Sequence, residues 1–171
     1  MPKPDYSRIP EWYHGYLKQV TETNLHKVLS DQQKTIASFL KRIPDKKQNY
    51  RYAKGKWTIK ELLQHIIDSE RVFAYRALSF SRNDTSHLPG FDENTWAENT
   101  NPAKREWKEM IDEFVAVRIS TILLFKSFSK KQLQLNGIAN NNSIYVEGIG
   151  FIIAGHAAHH IAIIKERYLP A

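Results

Sequence analysis

The stretch Ile149-Gly150-Phe151-Ile152-Ile153-Ala154-Gly155-His156-Ala157-Ala158-His159-His160-Ile161-Ala162-Ile163-Ile164 decides the fold. It is too long for one strand, and its polar residues recur at helical intervals. At about 100° per residue, Ile149, Ile152, Ile153, Ile163 and Ile164 fall within an arc of about 120°. His156 and His160 lie inside that arc, and His159 lies on its flank. An i, i+4 pair of imidazoles therefore points inward, where burial without a partner is costly. Ser143 is expected to cap this last helix, which runs to about Tyr168 before Pro170.

Working outward, the rest of the chain is also helical in period. Trp12, Tyr13, Tyr16, Leu17 and Val20 suggest a short N-terminal helix over 11–20. Thr23 is placed to cap a longer helix with the stripe Leu25, Val28, Leu29, Ile36, Phe39, Leu40 and Ile43, and Pro44 stops it. Gln32 falls on the inward side of that stripe. Residues 45–56 read as loop. Thr58 with Glu61 three residues later forms a capping box for a helix carrying Leu62, Leu63, Ile66, Ile67, Phe73 and Ala77. A long connection follows from Asn83 to about Asn101, a length more often functional than idle. Pro102 suits the first position of a third long helix, whose stripe includes Trp107, Met110, Ile111, Phe114 and Phe125. Residues 129–142 read as a polar connection. No alternation is long enough to build a sheet. The fold class expected is all-α: a four-helix bundle with a short N-terminal helix and a long connection between the second and third long helices.

Composition agrees with one bundle domain over 1–171, its core at about 20–170. Of 171 residues, 42% are apolar, enough for a sizeable core. Cysteine is absent, which excludes disulfide scaffolds, cysteine-zinc sites and cysteine nucleophiles. No leader-type N-terminus and no run of eighteen apolar residues is present, so a cytoplasmic protein without a membrane span is expected. Net charge is +7. The densest basic cluster, Lys41 to Lys56, has Tyr50, Tyr52 and Trp57 nearby, a combination that suits base stacking. A solvated interhelical loop is the preferred reading of it, and no nucleic-acid motif accompanies it, so no nucleic-acid partner is expected.

The histidines carry the functional signal. His65 lies beside Leu62 and Ile66 on the second long helix. If that helix touches the last, His65 faces His156 and His160. Three imidazoles without a fourth protein ligand describe a metal site with an open position. The competing reading is three separate core histidines, each hydrogen-bonded. Asp68, three residues after His65, is a candidate to orient a ligand imidazole; pairing with a nearby arginine is its alternative. Arg118, inside an apolar stripe, is a candidate to bind a substrate anion, or else to neutralise a carboxylate such as Glu70. Gly148, Gly150 and Gly155 would let a neighbour approach the last helix closely.

Three segments together resemble the DinB superfamily: Lys56-Trp57-Thr58-Ile59-Lys60-Glu61-Leu62-Leu63-Gln64-His65-Ile66-Ile67-Asp68-Ser69-Glu70-Arg71, then Leu88-Pro89-Gly90-Phe91-Asp92, then Ile152 to His160. The resemblance covers about residues 20–170. It implies a four-helix bundle holding a divalent metal through His65, His156 and His160, with zinc or nickel ahead of iron, copper and manganese. It also implies a homodimer and a small-molecule substrate, acted on by hydrolysis or by S-transfer from a low-molecular-weight thiol such as bacillithiol. A non-catalytic protein of the stress response, binding metal or a small molecule, is the alternative.

Overall fold

The computed structural model describes residues 4–169. Four long helices form the body: α2 (Leu25–Leu40), α4 (Ile59–Ser81), α6 (Trp107–Lys126) and α8 (Val146–Ile163). Three one- or two-turn helices lie between them, α3 (Asp45–Gln48), α5 (Glu93–Glu98) and α7 (Lys130–Leu133), and a fourth, α1 (His14–Leu17), precedes α2. Both α2 and α4 pack against α6 and α8, which sets α2 and α4 on one diagonal of the bundle. The expected touch between the second and last long helices, α4 and α8, is therefore present.

Helix α8 is covered on every side over its first three turns, not along a single stripe. Every residue from Val146 to Ala157 is buried, so the single inward arc read from its isoleucines was too narrow. A helix apolar all round belongs inside a core. With its terminal turn it is apolar and long enough to cross a membrane, yet 78% of its most apolar window is buried within the bundle. Gly155 makes one side of this burial possible. A Cβ there would stand 2.2 Å from the carbonyl oxygen of Tyr16, so the α1 backbone rests directly on α8.

Several boundaries differ from the sequence reading, each for a local reason. Asn24, not Thr23, caps α2, its side chain accepting from the Lys27 amide. The Thr58–Glu61 capping box forms as expected. Pro102 opens only a single 3-10 turn, Pro102–Lys104, and α6 starts at Trp107. The buried Lys60 ammonium donates to the Ala103 and Arg105 carbonyls, which holds this segment outside α6. The polar connection contains a hairpin, β1 (Asn136–Ala139) antiparallel to β2 (Asn142–Tyr145). Its two-residue turn, Asn140-Asn141, has φ of 49° and 61°, the left-handed region that asparagine tolerates and such hairpins need. Ser143 pairs with Ile138 in this ladder, so α8 begins later, at Val146.

The hairpin also positions the connection after α4. The Leu88 amide donates to Ile138 O, and the Asn140 amide donates to Leu88 O, both at 3.0 Å. This clamps Pro89, Gly90 and Phe91 over the bundle end where the histidines lie. In and just after the basic 41–56 segment, Tyr52 and Trp57 turn inward onto the core, and the Tyr52 ring meets Tyr168 at 5.0 Å.

Candidate metal centre

Helix α4 supplies His65, and α8 supplies His156 and His160. The Nε2 of His156 lies 2.9 Å from that of His65 and 3.1 Å from that of His160. In either neutral tautomer His156 Nε2 offers one lone pair or one N–H, yet it faces two other ring nitrogens, so hydrogen bonding serves at most one of them well. Four nitrogens held tetrahedrally at about 2.0–2.1 Å from an ion stand about 3.3 Å apart. The two separations from His156 lie within about half an ångström of that spacing, and all three nitrogens lie within 4.8 Å of one another. The donor set fits a divalent first-row ion, and the three nitrogens form a group able to hold one.

Protonation favours the ligand form. Burial pushes His65 down from 6.5 to about 4 against the opposing charge of Glu93, and pushes His160 down to about 3. His156 lies well below the ordinary value, mainly through burial and then through its neighbouring imidazoles. All three rings are neutral at neutral pH, as coordination requires.

Aromatic packing fixes the rings. Trp57 lies 4.9 Å from His65 and is itself tied down by Tyr168, whose hydroxyl donates to Trp57 O at 2.6 Å. Tyr16, held against Gly155, lies 5.3 Å from His156 and 5.2 Å from His159. The nearest partner of His65 Nδ1 is Ser69 Oγ at 3.5 Å. His160 Nδ1 is buried without a hydrogen-bond partner among the described residues, so ring packing and the Nε2 contact with His156 orient that imidazole.

The other residues singled out in the sequence stand outside the group of three imidazoles. Asp68 accepts from Gln64 Nε2 at 3.0 Å and faces Arg71 at 3.5 Å; its recorded partners do not include His65. Burial raises its pKa. Arg118 is wholly buried and makes three hydrogen bonds to the Glu70 carboxylate and one to Gln32 Oε1. Of the two readings open for it, neutralising Glu70 is the arrangement observed. Gln32 closes the network by donating to Ala154 O on α8. His159 stands outside the group of three.

A cavity of about 390 Å³ opens onto the three imidazoles. Its walls include Trp12, Tyr16, Phe73, Arg76, Phe91 and Glu93. Sequence reading passed over Ser69 and Arg76. Both were detectable, because 65, 69, 73 and 76 follow helical spacing along one face of α4.

A model of the DinB superfamily matches residues 29–164. The chain belongs to the DinB superfamily. It is 29% identical over 158 residues to a protein of Oceanobacillus iheyensis named provisionally as a metal-dependent hydrolase, covering 89% of this chain and 83% of that protein. Its fold is similar to that of YfiT from Bacillus subtilis, described as a probable metal-dependent hydrolase with an unusual four-helix bundle topology. The TM-score is 0.68 at 19% identity, over 96% of this chain and 90% of YfiT.

Proposed function

We propose that this DinB-superfamily chain is a metal-dependent hydrolase of a small molecule, with His65, His156 and His160 as the metal ligands. One observation carries the reading: three neutral imidazoles from two helices converge at the floor of a cavity of small-molecule size. A divalent ion bound there supplies Lewis acidity, polarising a substrate oxygen and lowering the pKa of water at its open side. The chain's own residues do the rest. Tyr16, Trp57 and Phe91 wall the cavity and limit water. Glu93, on the same wall, is the carboxylate available to accept a proton from attacking water. Asp68 and Arg118 act by supporting the helices: Asp68 holds Gln64, and Arg118 holds Glu70 beneath the site.

The test is a hydrolytic screen of ester, amide and lactone substrates on metal-loaded protein. Turnover lost in His156→Ala and in chelated protein supports the reading. Metal bound without turnover on any substrate favours the non-catalytic binding protein instead. Transfer of a low-molecular-weight thiol, implied by the family resemblance, enters the same screen as thiol plus electrophile; no separate feature of the cavity speaks for it. A homodimer is expected on the same ground, and sedimentation velocity reads it directly; the cytoplasmic expectation rests on the sequence alone.

A further inference from the structure

Three cationic side chains among the described residues are more than nine-tenths buried: Lys60, Arg76 and Arg118. Lys60 binds two carbonyls, and Arg118 binds the Glu70 carboxylate and Gln32. Arg76 differs. It is 5% exposed, and its one recorded hydrogen bond runs from Nη2 to Pro89 O at 2.9 Å. Among the described residues no carboxylate pairs with it within salt-bridge distance. A guanidinium offers five N–H donors, and a buried charge without a counter-ion is costly. Arg76 also lines the cavity above the metal centre.

Its place on α4 directs it there. His65, Ser69, Phe73 and Arg76 share one helix face, and helical side chains lean toward the N-terminal end. The Arg76 side chain therefore leans back toward His65. Phe73 bridges the two ends of the cavity, its ring 6.1 Å from the His156 ring and 5.7 Å from the Arg76 guanidinium carbon. Trp12, Tyr13 and Phe91 supply flat apolar wall between them.

We propose that Arg76 anchors a carboxylate on the substrate, so that the substrate class is a small organic acid with a flat or apolar body. This rests on the cavity being the substrate site. A carboxylate suits better than a phosphate dianion. One guanidinium is present, and Glu93 on the same wall opposes a second negative charge. Carboxylate and phosphate both take the paired N–H groups of arginine in a bidentate bond, so the charge balance, not the fork geometry, makes the choice.

The test measures binding of phenylacetate, phenylacetamide and phenyl phosphate to the full-length protein by calorimetry, as purified and after chelator treatment. The chelated arm removes any direct bond between carboxylate and metal. Chelated wild type is expected to bind phenylacetate at least about tenfold more tightly than the amide, and phenyl phosphate less tightly than phenylacetate. Arg76→Gln should lose about tenfold for phenylacetate and leave the amide unchanged. Equal affinity for acid and amide, tighter phosphate binding, no saturable binding, or an Arg76→Gln protein that binds phenylacetate like wild type would each overturn the assignment. The wild-type comparison decides without any variant should Arg76→Gln fail to fold. Failure to find metal or turnover would sink the hydrolase reading and leave this result standing on its own.

Discussion

His65 and His156 are 91 residues apart in the chain, yet their Nε2 atoms stand 2.9 Å apart at the contact of α4 with α8. Neither ring is free to retreat. Trp57 backs one and Tyr16 backs the other. This preorganisation keeps three neutral imidazoles together, and it gives the metal-free protein a characteristic pH dependence.

In the unfolded chain each of these histidines titrates near 6.5, whereas in the fold His65 is held down to about 4, His160 to about 3, and His156 lower than its ordinary value by a wide margin. Below 6.5 the unfolded chain thus binds protons that the native chain refuses, and stability falls as pH falls. Chelated protein should keep its full thermal stability above about pH 7 and lose it progressively toward pH 4. Thermal melts across that range check this. A melting temperature independent of pH would contradict it, and replacing His156 by Leu should flatten the slope.

Gly155 sets the position of Tyr16. Alanine there gains about 1 kcal/mol of helix propensity but drives a methyl group into the Tyr16 carbonyl oxygen. Overpacking against backbone costs about 1–3 kcal/mol, so Gly155→Ala should be net destabilising in urea melts. The same change at Gly15, where a Cβ meets nothing within 4 Å, should be far milder.

The Glu70–Arg118 pair is buried on both sides, at 2% and 0% exposure. Arg118→Met strands the carboxylate and should cost about 3–5 kcal/mol. The double variant Glu70→Leu with Arg118→Met should recover most of that loss, because a well-packed apolar pair replaces buried charges at little net cost. Denaturant melts of the two singles and the double form the required cycle.

Much of this was legible in the sequence, because helical period and capping act locally. The Thr58–Glu61 cap, the inward-facing Gln32 and the convergence of His65 with His156 and His160 all follow from spacing plus one packing assumption. The elements that sequence did not reveal depend on partners distant in the chain. The β1–β2 hairpin rests on a turn at Asn140-Asn141 and on a bridge to Leu88, so its strands are too short to announce themselves by alternation. The late start of α6 depends on Lys60 holding two carbonyls. Asp68 was placed by its distance from His65 along the helix, yet rotation turns it toward Gln64 and Arg71. Arg76 drew no notice because an arginine acquires meaning only when its missing counter-ion can be seen.

The most direct test of the central claim is elemental analysis of protein purified without chelator, compared with its histidine variants. About one equivalent of a divalent first-row metal per chain is expected in wild type, with strong loss in His156→Ala and none retained when His65, His156 and His160 are all alanine. Metal retained at full stoichiometry in that triple variant, while its helical content stays native, would contradict the account.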